Sequence, residues 1–217
     1  MGVKERRARK HAAIEQLILA TAEELLQVSG SVAVSLRADA ERIEYSPAAI
    51  YSYFSSKQDL LAALAAQGFR RLNHALTRSS TLSHVSPPLR LREFYWRYYE
   101  FSKSDAASYE LMFLEPSYEP GRWEREALAC LGEAMAEADR LIADCVASGE
   151  FVSDMPPRAL RLTLWSALHG AAVIRLRKRL PADVDPDRFA ADTLDAALAG
   201  CLRRCEPART GGTFKDV

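Results

Sequence analysis

The residues between Ser46 and Lys57 combine hydroxyl groups, small side chains and a cation, a set suited to contacts with nucleic acid. Serine and tyrosine hydroxyls can bind backbone phosphates, and alanine is small enough to bring a helix close to base edges. Ser46 is a favourable N-cap and Pro47 suits the first helical position, so the stretch predicts a very short helix. Such a helix fits the major groove of DNA; the alternative is a surface helical hairpin that exposes two tyrosines.

Lys57 opens the next predicted helix, where the helix dipole favours an anion rather than a cation. A phosphate held between Lys57 and the unpaired amides of the helix start would balance this charge. Ala48 and Ala49 can contact only a thymine methyl group and Ser52 accepts several bases, so we expect affinity to come mostly from phosphates. The candidate DNA-binding residues are Ser35, Arg37, Ser46, Pro47, Ala48, Ala49, Tyr51, Ser52, Tyr53 and Lys57.

Several helices must position these side chains. Apolar residues at spacings of three and four predict an amphipathic helix from His11 to Val28, which Gly30 ends. A second, short helix follows with Ser35 as its N-cap, and Ile50 and Phe54, four residues apart, anchor the third helix to a core. The predicted inward residues are Ile14, Leu17, Ile18, Ala22, Leu25 and Leu26 in the first helix, Leu36, Ala40 and Ile43 in the second, and Leu60, Leu61, Leu64 and Phe69 in a fourth helix that runs from about Lys57 to Arg78.

These patterns divide the chain into four parts. Residues 12–78 are the predicted helix-turn-helix DNA-binding domain, and residues 79–205 a second helical domain. Residues 1–11 contain five lysines and arginines but one glutamate, which predicts a flexible basic arm. That arm is either a solubilising tail or a segment that lies on phosphates or enters a minor groove. Residues 206–217 are a predicted disordered tail.

Helical spacing continues through the second half, so the predicted fold class is all-α. The aromatic residues between positions 94 and 113 exceed the needs of one buried stripe. We therefore expect some of them to line a cavity for a small apolar or aromatic molecule, the alternative being that all are core. The candidate ligand-binding residues are Tyr95, Tyr98, Tyr99, Tyr109, Met112, Phe113, Trp165 and His169.

Composition narrows the class of protein. The formal net charge is zero, so a nucleic-acid surface must be local. The four cysteines lack the spacing of a metal site, and we expect neither a metal nor a cofactor. No apolar run is long enough to span a membrane, and the N-terminus lacks a signal-peptide core, so we expect a cytoplasmic protein with no membrane partner.

The arrangement of these residues resembles the DNA-binding domain of the tetracycline-repressor (TetR) family. The resemblance covers roughly residues 10–60, and its residues are Ser35, Ala40, Ser46, Ile50, Tyr51, Tyr53, Phe54, Lys57 and Leu60. It implies an all-α homodimer with a variable C-terminal effector domain. A shorter resemblance, at Trp165–Gly170 and Tyr109–Phe113, is to a subgroup named for a Trp/His/Gly signature. This implies dimerisation through the last two helices as a four-helix bundle.

Two residues depart from the family pattern. Asp39 stands where an apolar residue is usual, and Glu44 stands in the turn where glycine is usual. An unpaired carboxylate on the buried face would be costly, so we expect Asp39 to reach solvent at the edge of that face or to meet an arginine. Glu44 lacks the freedom of glycine for positive φ, so the turn is expected to differ slightly.

The hypothesis that joins these features is a ligand-responsive transcriptional regulator, a repressor that a small molecule releases from a palindromic double-stranded DNA operator. One alternative is a helical protein–protein adaptor with a degenerate helix-turn-helix, for which Asp39 and Glu44 are the support. The other is an enzyme that uses the aromatic pocket with His169 as general base. No second group is positioned beside His169 by the sequence, so we predict that the protein is not an enzyme.

Overall fold

The computed structural model describes residues 2–77, 85–115, 121–151 and 155–202, and the regular elements among them are all helices. The predicted all-α fold class is confirmed. The helices are α1 Val3–Ala33, α2 Leu36–Arg42, α3 Pro47–Ile50, α4 Lys57–Thr77, α5 Pro87–Ser104, α6 Ala106–Phe113, α7 Arg122–Ala147, α8 Pro157–Leu176 and α9 Pro186–Leu202. Within the described ranges, no helix has the length and apolar character that crossing a membrane requires.

The chain forms two compact units whose boundaries differ from the predicted domains. The first unit contains Met1–Arg78 and Arg97–Ala136, and the second contains Ser79–Trp96 and Glu137–Val217. Residues 97–136, which fall in the predicted effector domain, therefore complete the first unit, because α6 packs against both α1 and α4. The predicted tail 206–217 lies outside the described residues.

The central helix of the first unit is α4, which is buried on several sides. The predicted inward residues Leu60, Leu61, Leu64 and Phe69 are all buried, and so are the small residues between them. Helix α6 approaches α4 closely at Gly68, because a Cβ atom built there would lie 2.5 Å from the Met112 sulfur. The α4 helix thus carries apolar contacts on the faces that a surface helix would expose.

Helix α1 begins earlier than predicted. The chain is helical from Val3, so the predicted flexible arm at residues 1–11 is wrong. Alanine, arginine, lysine and glutamate are strong helix formers, and Glu5 accepts a hydrogen bond from the Gly2 N–H at 3.0 Å. The cations of this segment remain exposed on the helix: Lys4, Arg6, Arg7, Arg9 and Lys10.

The buried face of α1 is rotated slightly from the predicted one. Ile18, Ala22 and Leu26 are buried as predicted, but Leu17 is 44% exposed and Leu19 is buried instead. Gly30 has φ 73°, the positive φ expected of a glycine at the end of a helix. The helix bends there and makes one further turn to Ala33.

In the second unit, α8 and α9 pack against each other over much of their length. Their buried residues are Leu160, Leu164, Leu168, Ala171 and Ala172 on α8, and Ala190, Leu194 and Leu198 on α9. Ion pairs also join α5 to α7 and α9, and α8 to α7: Arg90 with Asp144, Arg92 with Asp195, and Arg161 with Asp139. The second unit therefore combines an apolar helix pair with a charged periphery.

The two mid-helix glycines of the first unit should respond oppositely to alanine. A Cβ atom added at Gly132 on α7 would have no neighbour within 4 Å, so G132A should stabilise by about 0.5–1 kcal/mol through helix propensity. In G68A the same gain is opposed by the contact with Met112, so we expect a net loss of about 1 kcal/mol. Urea unfolding measures both; equal stabilisation would contradict the close packing of α4 and α6.

Candidate nucleic-acid interface

Helices α2 and α3 are each capped by a serine, as predicted. The Ser35 hydroxyl oxygen accepts a hydrogen bond from the Ala38 N–H at 3.1 Å, and Ser46 accepts one from the Ala49 N–H at 3.2 Å. Between the helices, the Tyr45 N–H donates to the Ala40 carbonyl at 2.9 Å. The two helices are therefore held in a tight helix-turn-helix by local hydrogen bonds.

The turn between α2 and α3 takes a backbone conformation that is difficult for a residue other than glycine. Glu44 has φ 58°, in the left-handed region where glycine is usually favoured. The chain accepts the conformation with a glutamate side chain that is exposed to solvent. The turn thus keeps the geometry that glycine would give, at some cost in backbone strain.

Helix α3 has only four residues, and two apolar side chains fix it to the first unit. Ile50 and Phe54 are both fully buried, which confirms their predicted anchoring role. Phe54 stacks on Trp123 of α7, with ring centroids 6.2 Å apart and planes at 22°. Trp123 was missed by sequence reasoning, because it stands far along the chain with no periodic relation to α3.

The opposite side of α3 presents the predicted base-facing residues. Ser46, Pro47, Ala48 and Ser52 are exposed, and Ala49 is half-buried. The Ser52 hydroxyl donates to the Ala49 carbonyl at 2.6 Å, which leaves its oxygen free to accept a hydrogen bond from a base. The side chains on this face are small, as close approach of a helix to base edges requires.

The two tyrosines of this region have different surroundings. Tyr51 is 56% exposed, so its hydroxyl is available to a phosphate. Tyr53 is half-buried, and its ring lies against His11 of α1 with centroids 4.5 Å apart. His11 therefore joins the interface region, although no motif in the sequence had indicated it.

Lys57 does not hold the position predicted from helix-dipole reasoning. Its ammonium donates to the Val32 carbonyl at 3.1 Å, near the end of α1. The start of α4 is balanced by Asp59, whose carboxylate accepts from the Ser55 N–H at 2.9 Å, while the Ser56 hydroxyl oxygen accepts from the Asp59 N–H at 3.0 Å. The negative charge that we expected a phosphate to provide at this helix start is thus provided by the Asp59 carboxylate.

Cations around the helix-turn-helix are exposed and paired with neighbours. Arg37 pairs with Glu41 at 3.1 Å, and both side chains are largely in solvent. Such surface pairs are weak, so Arg37 can exchange its partner for a phosphate at small cost. Arg42 pairs with Glu24 of α1 at 3.1 Å.

The side chain of Asp39 contradicts the expectation that it reaches solvent or an arginine. It has 0% exposure, and both of its carboxyl oxygens lack a hydrogen-bond partner. Burial raises the pKa of Asp39 from 3.8 to about 7. The reason for the wrong prediction is local geometry, because the nearby arginines of α2 pair with Glu41 and Glu24 instead.

The eight candidate ligand-binding residues divide between the two units. In the first unit, Tyr98 and Tyr109 share a hydroxyl hydrogen bond of 2.9 Å, and both rings contact Phe113. Phe113 in turn meets Phe69 of α4 with centroids 5.4 Å apart. Tyr99 is fully buried in the same unit, and Met112 contacts α4 beside Gly68. Of these residues, Tyr98, Tyr109 and Phe113 form a packed aromatic cluster with Phe69 on the α4 helix.

The other three candidates lie in the second unit. The Tyr95 hydroxyl donates to the Arg161 carbonyl at 3.1 Å. On α8, the rings of Trp165 and His169 stack with centroids 4.8 Å apart and planes at 21°. Desolvation by burial lowers the pKa of His169, which favours the neutral imidazole.

A polar clamp joins three helices of the first unit around Arg71 of α4. The Arg71 guanidinium binds the Asp105 carboxylate at 3.0 Å, the Ser108 hydroxyl at 2.8 Å and Glu23 of α1 at 2.8 Å. Gln27 of α1 donates to the other Asp105 oxygen at 2.8 Å. We call these five residues the Arg71 clamp; their separation along the chain gives no sequence pattern by which to predict it.

The charge on Asp105 suits the clamp. Burial alone would raise the pKa of Asp105, but hydrogen bonds from Ser108 and Gln27, together with Arg71, outweigh it and lower the pKa. Asp105 also precedes α6 directly, where a negative charge is favourable. The clamp therefore ties the start of α6 to α1 and α4 by charge-assisted hydrogen bonds.

Comparison with known families decides the identity of the fold. Residues 18–64 match the family model described as bacterial regulatory proteins, tetR family, and residues 91–197 match the one described as tetracyclin repressor-like, C-terminal domain. The chain belongs to the tetR family. A search of curated proteins gave no match to this tetR-family chain. The Trp/His/Gly subgroup stays a prediction.

Solved structures of regulatory proteins share the fold of this chain. A TetR/AcrR regulator from Thermobifida fusca YX-ER1 is 26% identical to this chain, with a TM-score of 0.67. The match covers 88% of this chain and 100% of the other. A tetR-family regulatory protein from Rhodococcus RHA1 is 22% identical with a TM-score of 0.67, covering 86% and 96%. The transcriptional regulator FadR from Bacillus subtilis, solved with stearoyl-CoA, is 14% identical with a TM-score of 0.67, covering 85% and 98%.

Family and geometry together establish the general function. The two family matches and the helix-turn-helix identify this tetR-family protein as a DNA-binding transcriptional regulator. The adaptor and enzyme alternatives have no comparable support.

Within the part of the chain that the structure describes, no group of three or more histidine, cysteine or acidic residues could hold a metal ion.

Removal of the central cation should show what the Arg71 clamp contributes. In R71Q, Glu23 and Asp105 lose their cationic partner, so we expect the free energy of unfolding to fall by about 1–3 kcal/mol. The matched control is R188Q, which breaks an exposed pair with Asp192 inside α9 and should leave stability unchanged. Urea unfolding at neutral pH measures both variants; an R71Q protein as stable as R188Q would exclude a stabilising clamp.

Proposed function

We propose that this regulator is a homodimeric repressor. Two copies of α3 enter successive major grooves of a palindromic operator, about 34 Å apart. A small apolar or aromatic effector releases the dimer from that operator. The observation that carries the proposal is the exposed face of α3, held by two buried anchors and flanked by exposed hydroxyls and cations.

The face of α3 supports a particular division between specificity and affinity. Ala48 and Ala49 can meet a thymine methyl group, and Ser52 can hydrogen-bond to several bases, so each half-site specifies few positions. Phosphate contacts then supply most of the affinity, through the start of α2, Tyr51 and Arg37. The exposed cations of α1 extend this phosphate-binding surface.

The outer sides of α8 and α9 support dimerisation through these helices. Leu162 of α8 is 42% exposed, and Trp165, three residues further along the same face, is half-buried. On α9, Ala196, Ala199 and Gly200 are small enough for another helix to approach closely. Two copies of this pair form a four-helix bundle across a two-fold axis.

The aromatic cluster on α4 is the proposed route by which an effector acts. A molecule that inserts among Tyr98, Tyr109 and Phe113 must displace rings that contact Phe69 and, through α6, the Arg71 clamp. Binding shifts the protein toward a state that does not fit the operator only if the effector prefers that state. Because FadR from Bacillus subtilis was solved with stearoyl-CoA, acyl-CoA esters are the first compounds to test.

On this proposal the regulator acts by binding alone, with no turnover of the effector, and works in the cytoplasm, where an operator is accessible. Tyr95, Trp165 and His169 remain proposed effector contacts of the second unit. The lowered pKa of His169 favours an uncharged ring there, as a site for an apolar ligand requires.

Selection from a library of random duplexes at two salt concentrations tests the operator proposal. We expect enrichment of a palindrome whose half-site centres are about one helical turn apart. Its affinity should fall steeply as salt rises, because several phosphates are neutralised on binding.

The selected duplex then serves to screen acyl-CoA esters and aromatic acids for release. Enrichment of a single, non-palindromic site by a monomer would contradict the dimeric arrangement. Failure of a well-folded dimer to enrich any sequence would contradict specific operator binding altogether.

A further inference from the structure

Asp39 stands at the structural centre of the helix-turn-helix, and the proposed operator contacts make no use of it. It lies on α2, which packs against both α1 and α3, and its side chain is fully buried. Its backbone carbonyl accepts the Ile43 N–H at 3.0 Å, so the same residue also fixes the start of the turn. Any displacement of Asp39 would therefore move the segment that carries α3.

The carboxyl group has no partner that would stabilise its charge. Neither oxygen has a hydrogen bond, and a buried, unpaired carboxylate is among the most costly groups in a protein interior. The charged side chains of the elements around it are occupied in other pairs: Glu23 with Arg71, Glu24 with Arg42, and Arg37 with Glu41. Helix α3 contains no titratable side chain, and Glu44 and Tyr45 of the turn are exposed.

The turn between α2 and α3, next to Asp39, is only weakly stabilised by local structure. Glu44 adopts positive φ without the freedom of glycine, and α2 and α3 are too short to be stable without their tertiary contacts. A charge that forms at Asp39 can therefore be relieved by local loosening of α2, without unfolding of the whole unit.

We propose that Asp39 is a proton-sensitive switch of this helix-turn-helix. The protonated carboxyl lets α2 pack closely against α1 and α3, and ionisation loosens α2 and weakens duplex binding. The proposal rests on the proposed operator binding for its effect on DNA, but its effect on α2 is a property of the free protein.

The pH range follows from the burial of this group. The pKa of Asp39 is raised from 3.8 to about 7, so the folded state binds this proton more tightly than the unfolded state does. The closed packing has its full stability below about pH 4, loses it progressively as the pH rises to about 7, and changes no further above that. Binding is thus tightest in mild acid and weakest in mild alkali.

Duplex affinity at constant ionic strength, between about pH 5.5 and about pH 8, tests the switch on the operator. The probe is the duplex selected by the wild-type protein at the lower pH, and its binding is measured by fluorescence polarisation. For the wild type we expect a loss of about tenfold over this range. D39N, which has the same shape and no charge, and D39L, which is apolar, should both lose most of this pH dependence.

His11 provides the necessary control, because its imidazole ring lies against Tyr53 at the interface. H11Q should keep the pH dependence that D39N loses. A pH dependence that disappears in H11Q and persists in D39N would overturn the proposal.

A measurement without DNA separates this proposal from the proposed operator function. The thermal midpoint of the wild type should fall relative to that of D39N as the pH rises over the same range, and the Asp39 carboxyl carbon should titrate near neutrality by NMR. If both hold but no duplex is bound at any pH, the operator proposal fails and the switch in α2 stands. A carboxyl carbon that titrates near its ordinary value would refute the switch.

Discussion

The burial of Ile50 and Phe54 is the constraint on which the rest of the interface depends. A helix of four residues cannot maintain itself in water, so α3 has a defined orientation only because two apolar side chains bind it to the first unit. Phe54 reaches Trp123 of α7, and α4 begins directly beyond. The position of the small face that we propose for the major groove is thus set by apolar contacts on the reverse side of the same helix.

Polar groups of the first unit act in two opposite ways around that apolar frame. The Arg71 clamp satisfies its charges, with hydrogen bonds from α1 and α6 that keep Asp105 ionised. Asp39 has no such partners, and burial shifts its protonation toward neutral pH. The clamp therefore stabilises the packing of α6 on α4, whereas a charge on the unpaired Asp39 carboxyl would destabilise the packing of α2 beside α3.

Local patterns in the sequence were sufficient for much of the fold. The serine caps, the anchors Ile50 and Phe54 and the inward side of α4 follow from spacing and side-chain type, and the structure confirms them. Long-range pairing was not predictable in this way. Lys57 prefers the Val32 carbonyl, and the basic N-terminal segment is helical rather than flexible. The Arg71 clamp and Trp123 depend on tertiary packing that no periodicity encodes.

The burial of Asp39 shows most plainly the limit of prediction from the sequence. An unpaired carboxyl group on the inner face of α2 is energetically unfavourable, so it was not expected there. The structure places it there, with the two arginines of α2 paired to other carboxylates. A local departure from a well-satisfied core is more common at functional sites than elsewhere. The same departure that made the prediction wrong is therefore the basis for a switch.

A matched pair of exposed alanines tests most directly whether α3 enters the major groove. Ala48 lies on the exposed face of α3, and Ala129 is also exposed to solvent, on α7. A48E would bring a negative charge against base edges and phosphates, so the account predicts a loss of at least about 100-fold in affinity for the selected duplex. A129E should bind as tightly as the wild type. Equal affinities of the two variants, with both proteins folded, would contradict the central claim.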